Sequence, residues 1–198
     1  MQSSHLSLAR QIACPVVLIS SLLKSEQGLK EERNTDFYMI SSISYVNLEP
    51  LVISTTFLKT SKTGFAALLS KQMAVSLLSF EQLDAVEQLG KLSSAEKAQN
   101  YAAENLAQCG FTTGRLKSGL LFIEGSIAFS LRIFDQTELE QYIVVMAELE
   151  ENQDSNFASI SAKEAEQSQR FEPLIRYNRL YGTIDKKRLS QGNDRYPV

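Results

Sequence analysis

The pattern of apolar and polar positions predicts a chain built mainly of strands. Residues 16–20 form a short β-branched run that follows a proline, a residue suited to the start of a strand. Residues 37–44 and 51–57 are rich in β-branched, aromatic and hydroxyl side chains, and the turn chemistry of residues 47–50 separates them. The sequence therefore predicts three early strands, with a polar connection over residues 24–36.

The next region alternates between helical and strand-like patterns. Hydroxyl residues at 60–63 precede apolar residues at helical spacing, which predicts a capped helix that ends near Gln72. Residues 73–79 have strand character, and residues 81–89 predict a short surface helix ended by Gly90. A capping-box pattern at 93–96 predicts a further helix that runs toward Cys109, with Gly110 in the C-terminal capping position.

Strand character returns at residues 120–134 and 142–149, and Gly125 predicts a bulge or tight bend in a curved sheet. Because the strands outnumber the helices and are closely spaced, the pattern argues against a regular βαβ alternation and favours a small barrel with added helices. We expect one domain over residues 1–198, with a core at about 12–184 and a basic tail at 185–198.

Charge and hydropathy narrow the classes of partner. The 198 residues include 20 Lys and Arg against 23 Asp and Glu, for a formal net charge of −3. This balance argues against a phosphate-binding surface for nucleic acid. No apolar stretch approaches the roughly 20 residues that span a bilayer, and no cleavage-like site follows the apolar residues 12–23. We expect a cytoplasmic protein with no nucleic acid or membrane partner.

Few side chains in this sequence suit acid–base or metal chemistry. A single histidine, His5, lies in a polar N-terminal stretch, which leaves Ser-His-Asp and Cys-His catalysis without a base. Two cysteines, Cys14 and Cys109, are too few for a structural zinc site and are typical of buried thiols. We predict no metal site, and the sequence carries neither a dinucleotide glycine fingerprint nor a P-loop.

Residues 41–52 read SSISYVNLEPLV, which resembles the pattern of the flavin reductase-like, FMN-binding split-barrel family. Further stretches resemble this family in the expected order: a first strand at 15–20, a phosphate-side loop at 59–63, a strand at 74–78, a helical insertion of the flavoredoxin-like branch at 90–111 and a closing strand at 173–182. The resemblance implies a mainly β chain with helical additions, folded as an antiparallel six-stranded split β-barrel. It also implies a homodimer with FMN near the subunit interface.

The start of the first predicted helix is the candidate phosphate site. A helix N-terminus offers N–H groups without intrahelical partners and a partial positive charge. Ser61 and Thr63 add hydroxyl donors, and Lys59 and Lys62 add charge-assisted bonds. From these residues alone, an ordinary helix cap beside two solvated lysines is the favoured interpretation. The resemblance implies the FMN phosphate.

For the flavin ring, the resemblance implies contact with Ser41, Ser42, Ile43 and Ser44. Alternation along a strand places Ser42 and Ser44 on one face and Ile43 on the other. An exposed strand face without a ligand is the alternative from the residues alone. Asn178, in the stretch that resembles the closing strand, is a further candidate contact.

The sequence departs from the family at the nicotinamide side. Many family reductases carry Gly-Asp-His before the strand at 143–149, whereas this chain has Glu140, Gln141 and Tyr142. A phenol can orient a nicotinamide by hydrogen bonding, but it does not become cationic near neutral pH. We expect Tyr142 and the phosphate residues to lie at different ends of the pocket. A strand-end aromatic without a catalytic role is the alternative.

The implied function is an FMN-dependent oxidoreductase that takes electrons from NADH or NADPH and passes them to a small-molecule acceptor. The missing triplet keeps open a non-catalytic FMN-binding or electron-carrier protein, and a barrel that has lost its flavin is a third possibility. Apolar strand residues beyond the needs of a small core also predict a homodimer. These residues are Phe122, Ile127, Phe129 and 144–146.

Overall fold

The structure, a computed structural model, describes residues 14–22, 35–40, 42–92, 101–150, 172–177 and 180–182. These ranges contain twelve strands: β1 (Cys14–Pro15), β2 (Val17–Leu22), β3 (Thr35–Ile40), β4 (Ile43–Leu48), β5 (Leu51–Leu58), β6 (Gln72–Leu77), β7 (Thr113–Arg115), β8 (Leu121–Ile123), β9 (Ile127–Glu138), β10 (Tyr142–Leu149), β11 (Ile175–Tyr177) and β12 (Leu180–Gly182). They also contain three α-helices: α1 (Lys62–Ser70), α2 (Leu83–Lys91) and α3 (Ala102–Gln108).

Several predicted features lie outside the described residues. They are His5, Ser41, the capping box at 93–96, Asn178 and the tail at 185–198.

Seven strands form the main sheet in the order β3-β2-β6-β9-β10-β5-β4, and every neighbouring pair is antiparallel. The two edge strands, β3 and β4, follow each other in the chain. Their ends at Ile40 and Ile43 are three residues apart, so their Cα atoms lie at most about 11 Å from each other. Both residues pack in one buried cluster. The sheet therefore curls until its edges approach.

This geometry confirms the predicted antiparallel split barrel, with seven strands in the sheet where six were expected. It also corrects the prediction of one strand over residues 37–44. That stretch contributes to two strands on opposite edges, β3 and β4, because the curl of the sheet brings the end of β3 at Ile40 close to the start of β4 at Ile43. The predicted turn at 47–50 is tighter than expected and comprises residues 49–50, where the side-chain amide of Asn47 donates to the carbonyl of Glu49 at 2.9 Å.

The concave face of the sheet encloses the first core. Side chains from all seven strands meet there, and α1 adds Ala67 and Leu68 at the edge of the cluster. Its fully enclosed members include Ile19, Phe57, Met73, Val75, Leu131, Val145 and Ala147. This core fixes which side chains of β4, β5 and β10 point inward.

The convex face of β2 carries a second core. Leu18 packs there with Leu78, Val86, Leu89, Leu106, Ile123 and Leu174, which belong to the β6 end, the helices α2 and α3 and the segments around them. Two buried hydroxyls fasten the β7–β8 hairpin to the sheet. The Ser20 hydroxyl donates to the Leu121 carbonyl at 2.6 Å, and the Ile123 N–H donates to the Ser76 hydroxyl at 3.0 Å. Cys109 is buried here as a free thiol, and Cys14 is a half-buried free thiol.

The glycines behave in two ways. Gly110 follows α3 with φ +94°, which confirms the predicted C-terminal cap, and Gly125 adopts φ +76° in the tight bend between β8 and β9. Gly90, in contrast, does not end α2, because the helix continues to Lys91. The predicted closing strand at 173–182 is two short strands in a separate sheet: β11 pairs with β1, and β12 pairs with β11.

Candidate functional site

The convex face of β4, β5 and β10 presents a row of hydroxyl groups. Ile53 and Phe57 face the barrel core, so the alternating Ser54 and Thr56 face outward. Ser44 lies directly opposite Ser54 in the β4–β5 ladder and is exposed. The hydroxyls of Ser42 and Thr56 are 2.6 Å apart.

The ladder places two of the predicted ring residues on this outer face and one on the inner face. Ser42 and Ser44 lie outward as the alternation predicted, whereas Ile43 packs against the barrel core. The Ile43 side chain is therefore turned away from the serine surface. The Ser42 carbonyl also accepts a hydrogen bond from Thr55 at 2.9 Å, which holds the start of β4 against β5.

The chain turns sharply at the end of β5 and enters α1. The Ser61 N–H donates to the Leu58 carbonyl at 2.8 Å. Ser61 is the N-cap residue, and its hydroxyl oxygen accepts from the Gly64 N–H at 3.1 Å. A hydroxyl group can accept and donate at once, so the cap leaves the Ser61 proton available to a ligand. The predicted hydroxyl cap is thus Ser61.

A close contact fixes where this helix begins. A Cβ atom added at Gly64 would lie 2.7 Å from Cβ and 2.8 Å from Cγ of Phe57, distances that require something to shift. The first turn of α1 therefore packs directly on Phe57, at the core-facing side of β5. Gly64 was missed by the sequence reasoning. A glycine in the first turn of a helix, where its propensity is poor, is the signal that could have found it.

The four predicted phosphate residues do not occupy equivalent positions. Lys62 is exposed at the first position of α1, and Ser61 is half-buried beside it. Thr63 is only 2% exposed, and its carbonyl accepts from the buried Ser21 hydroxyl at 2.9 Å. The backbone of Thr63 therefore anchors α1 to β2, and the prediction that its hydroxyl is a donor to the phosphate stays a prediction.

Lys59 already has an anionic neighbour. Its Nζ lies 3.0 Å from Oε2 of Glu138, with side-chain exposures of 38% and 64%. The Lys59 N–H also donates to the Gln141 carbonyl at 3.0 Å. The turn between β9 and β10 is thereby held against the loop that precedes α1. Glu138 carried no signal in the sequence, since its partner is 79 residues away along the chain.

Tyr142 lies beside this loop. It is opposite Leu58 in the β5–β10 ladder, and its side chain is 44% exposed. The sequence predicts Tyr142 and the phosphate residues at different ends of a pocket, and the ladder places Tyr142 next to the end of β5, one residue before Lys59. The reason is the antiparallel register, which brings the start of β10 to the end of β5.

A second tyrosine joins Tyr142. Burial raises the pKa of Tyr38 above its ordinary value of 10.0, and the nearby Tyr142 phenol raises this pKa further. Tyr38 lies on β3, at the edge of the sheet that curls toward this end of the barrel, and packs against the barrel core. The two phenols are therefore close enough to interact electrostatically, although β3 and β10 are not adjacent in the sheet.

The residues predicted to form spare apolar surface lie elsewhere than expected. Val145 is fully buried in the barrel core, Phe129 packs against that core, and Phe122 packs over Gly114. Val144 and Met146 are half-buried on the outer face of β10. The large apolar side chains that are exposed include Tyr45, Val46, Phe65, Leu69, Phe134, Leu139 and Tyr142.

The described ranges contain neither a metal-binding cluster nor a membrane-spanning helix. No group of three or more His, Cys, Asp or Glu side chains is arranged there to hold a metal ion. None of the helices in that part of the chain has both the length and the apolar character needed to cross a membrane.

Comparison with known proteins gives matches at the level of structure. No protein-family model matches the chain, and no curated protein matches its sequence. Nitrilotriacetate monooxygenase component B from Mycobacterium thermoresistibile superposes with a TM-score of 0.70 at 15% identity, over 100% of this chain and 96% of the other.

Two further structures extend this similarity. One from Shewanella frigidimarina NCIMB 400, whose name describes a flavin reductase with a split-barrel domain, has a TM-score of 0.70 at 13% identity, over 100% of this chain and 93% of the other. The flavin reductase of styrene monooxygenase from Pseudomonas putida S12 has a TM-score of 0.63 at 13% identity, over 91% of this chain and 97% of the other. The shared split-barrel fold is thereby confirmed.

Proposed function

We propose that this protein is a cytoplasmic, homodimeric FMN-binding oxidoreductase of the flavin reductase type, with NADH or NADPH as electron donor and a small molecule as acceptor. One observation carries this proposal. At the end of β5, the strand that carries the outward hydroxyls is followed directly along the chain by Lys59, the helix cap Ser61 and the exposed Lys62. The similarity of the fold to flavin reductases supports the same function.

The start of α1 offers hydrogen-bond donors that suit the phosphate of FMN. The first intrahelical bond of α1 runs from the Phe65 N–H to the Ser61 carbonyl at 2.9 Å, so the N–H groups of residues 62 and 63 precede the intrahelical ladder. They, the Ser61 hydroxyl and the exposed Lys62 ammonium would hold a phosphate. Charge-assisted bonds of this kind contribute about 1.5–3 kcal/mol each.

The ring end offers a different chemistry. The hydroxyls of Ser42, Ser44 and Thr56 would meet the polar edge of a flavin ring, and the half-buried Val144 and Met146 would supply apolar contact beside it. A bound flavin supplies the redox chemistry, so the protein needs to provide binding, orientation and a shielded face. This division of labour suits a chain with a single histidine.

The same surface supports the proposed homodimer. The outer face of β10 carries the half-buried Val144 and Met146, and the β4–β5 and β9–β10 pairs also carry large exposed side chains, Tyr45 at 70% and Phe134 at 49% exposure. A second copy of the chain would cover this surface and shield the flavin. Light scattering should give twice the monomer mass at micromolar concentration with FMN bound, and a monomer under those conditions would contradict this part of the proposal.

Flavin binding is tested by the visible absorption of the purified protein and by titration with FMN and riboflavin. FMN should bind at least tenfold more tightly, because the phosphate contacts contribute at least the roughly 1.4 kcal/mol that a factor of ten requires. Lys62→Met should remove much of this preference. Lys91→Met, at the exposed end of α2, is the matched control and should leave it unchanged. Equal affinities for FMN and riboflavin in the wild-type protein would refute the phosphate site.

A non-catalytic flavin carrier is the second candidate, and Tyr142 is the observation that favours it. The Tyr142 phenol can donate a hydrogen bond to a nicotinamide carboxamide, but it offers no positive charge. Anaerobic stopped-flow mixing with NADH or NADPH distinguishes the candidates. Slow but saturable flavin bleaching that Tyr142→His accelerates supports the reductase. A flavin that binds and is bleached by neither nucleotide, in either variant, establishes the carrier.

A further inference from the structure

The turn between β9 and β10 places a carboxylate in the proposed phosphate loop. Glu138 is the last residue of β9, and its Oε2 contacts the Lys59 ammonium at 3.0 Å. Two backbone bonds fix this arrangement: the Lys59 N–H donates to the Gln141 carbonyl at 3.0 Å, and the Leu139 N–H donates to the Tyr142 carbonyl at 2.8 Å. The acidic side chain is therefore presented to the loop by backbone structure.

This ion pair contributes little to the stability of the fold. Both side chains are well exposed, and exposed pairs contribute little to stability because solvent screens them and both side chains lose freedom. The pair nevertheless occupies one of the two lysines of the loop. While the Lys59 ammonium is matched by a carboxylate, its charge is largely cancelled for any other anion that approaches.

We infer that Glu138 determines the phosphate affinity of this site by competing with the phosphate for Lys59 and by adding a negative charge beside it. This inference rests on the proposed function. It assigns the two lysines different roles. Lys62 is exposed and would bind the phosphate directly, whereas Lys59 would be shared between Glu138 and the phosphate. The consequence is a flavin that the site holds less tightly than its cations allow and releases faster.

The test is the substitution Glu138→Gln, which keeps the size of the side chain and its hydrogen-bonding capacity while removing the charge. FMN affinity should rise about three- to fivefold, the ratio that corresponds to an exposed charge interaction, through slower dissociation. Riboflavin affinity should not change, because it lacks the phosphate. Lys59→Met should weaken FMN binding by a similar factor and leave riboflavin binding unchanged.

Glu148→Gln is the matched control. Glu148 pairs with Arg132 on the same sheet, but it lies six residues along β10 from Tyr142, or about 20 Å at 3.4 Å per residue. That separation exceeds the screening length of about 8 Å at physiological salt, so the control should not alter FMN binding. Glu138→Thr, which suits a strand, should reproduce the effect of Glu138→Gln and provides a second variant if the first folds poorly.

The outcomes separate this inference from the proposed function. An unchanged or weaker FMN affinity in both Glu138 variants, an equal gain for riboflavin, or a Lys59→Met protein that binds FMN normally would overturn the role of Glu138. Each of these results leaves the preference of the wild-type protein for FMN over riboflavin intact. Loss of that preference in the wild-type protein would instead refute the proposed phosphate site itself.

Discussion

The two halves of the seven-stranded sheet differ in how many of their faces are covered. In β2, three consecutive residues, Val17, Leu18 and Ile19, are at most 1% exposed, because one face meets the barrel core and the other meets the helices. In β10, burial alternates: Val145 and Ala147 are fully enclosed, whereas the intervening Met146 is half-buried. The half that carries β4, β5 and β10 is covered on its concave face.

This difference shows what apolar sequence means in each place. The apolar runs in β2 and β10 are similar, yet three of the seven apolar residues of β10, namely Tyr142, Val144 and Met146, belong to no core cluster. Apolar surface that the fold of one chain leaves half-open, next to a row of hydroxyl groups, is typical of a surface that binds a flat ligand or a second subunit. Substitutions in the two halves should therefore differ in their effect on the free energy of unfolding, and the tyrosines Tyr38 and Tyr142 can be compared by titration.

The largest effect should come from truncating the convex face in each half. Leu18→Ala removes a side chain that is 1% exposed and should lower the free energy of unfolding by about 2–5 kcal/mol. Met146→Ala, on the outer face of β10, should lower it by only about 1 kcal/mol, because this side chain is half-buried and not fully enclosed. Urea denaturation of both variants checks the contrast, and equal losses would show that the two faces are covered alike.

A pair of helical glycines should respond with opposite signs. Gly64→Ala should destabilise the protein by about 1–3 kcal/mol, because the new Cβ would lie 2.7 Å from Cβ of Phe57. Gly90→Ala meets nothing within 4 Å and should stabilise by about 0.5–1 kcal/mol through lower backbone entropy in the unfolded chain. Thermal unfolding monitored by circular dichroism distinguishes them. Two variants that shift in the same direction would argue against the close contact of α1 with β5.

The helix cap gives a smaller effect. Ser61→Ala removes the hydroxyl that accepts from the Gly64 N–H and should cost about 0.5–2 kcal/mol of stability. Thr60→Ala removes an exposed hydroxyl one residue earlier and should remain within about 0.5 kcal/mol of the wild-type protein. Denaturant titrations of both proteins provide the measurement. A Thr60 effect as large as the Ser61 effect would mean that the cap is misassigned.

The smallest effect concerns Tyr38 on β3 and Tyr142 on β10. Because the pKa of Tyr38 is raised in the folded state, the unfolded chain loses its tyrosine protons first as pH increases. Tyr38 therefore makes its full contribution to the stability of the folded state below about pH 10. This contribution is lost as pH rises through the folded-state pKa of Tyr38. Tyr38→Phe should reduce the alkaline loss of stability.

Tyr142→Phe tests the same pair from the other side. It should lower the pKa of Tyr38 toward its ordinary value but leave it raised, since burial is the larger cause. Spectrophotometric titration near 295 nm, compared with the Tyr38→Phe protein, isolates this group. A Tyr38 titration that is identical with and without the Tyr142 phenol would show that the two rings do not interact.

Much of the fold follows from local pattern, and the site follows from it only in part. The strand of β10, the cap at Ser61 and the turn at Gly125 were readable because each depends on neighbouring residues. The division of residues 37–44 was not, since it depends on how far the whole sheet curls.

The site residues that were misplaced or missed depend on contacts between distant parts of the chain. Thr63 is buried because α1 packs on β2, and Glu138 reaches Lys59 because the β5–β10 register aligns two turns. Tyr142 lies beside the proposed phosphate loop for the same reason. A pattern within one segment contains no information about these registers. The sequence could therefore predict the position of the loop at residues 59–63, but not that Glu138 and Tyr142 lie next to it.

The short link between β3 and β4 also restricts how the barrel can move. Because Ile43 is the third residue after Ile40, these two edge positions can lie no more than about 11 Å apart, and the Ser42 carbonyl accepts a hydrogen bond from the Thr55 hydroxyl on the adjacent strand. Covalent geometry therefore sets an upper limit on how far the two edge strands can separate at this end of the barrel.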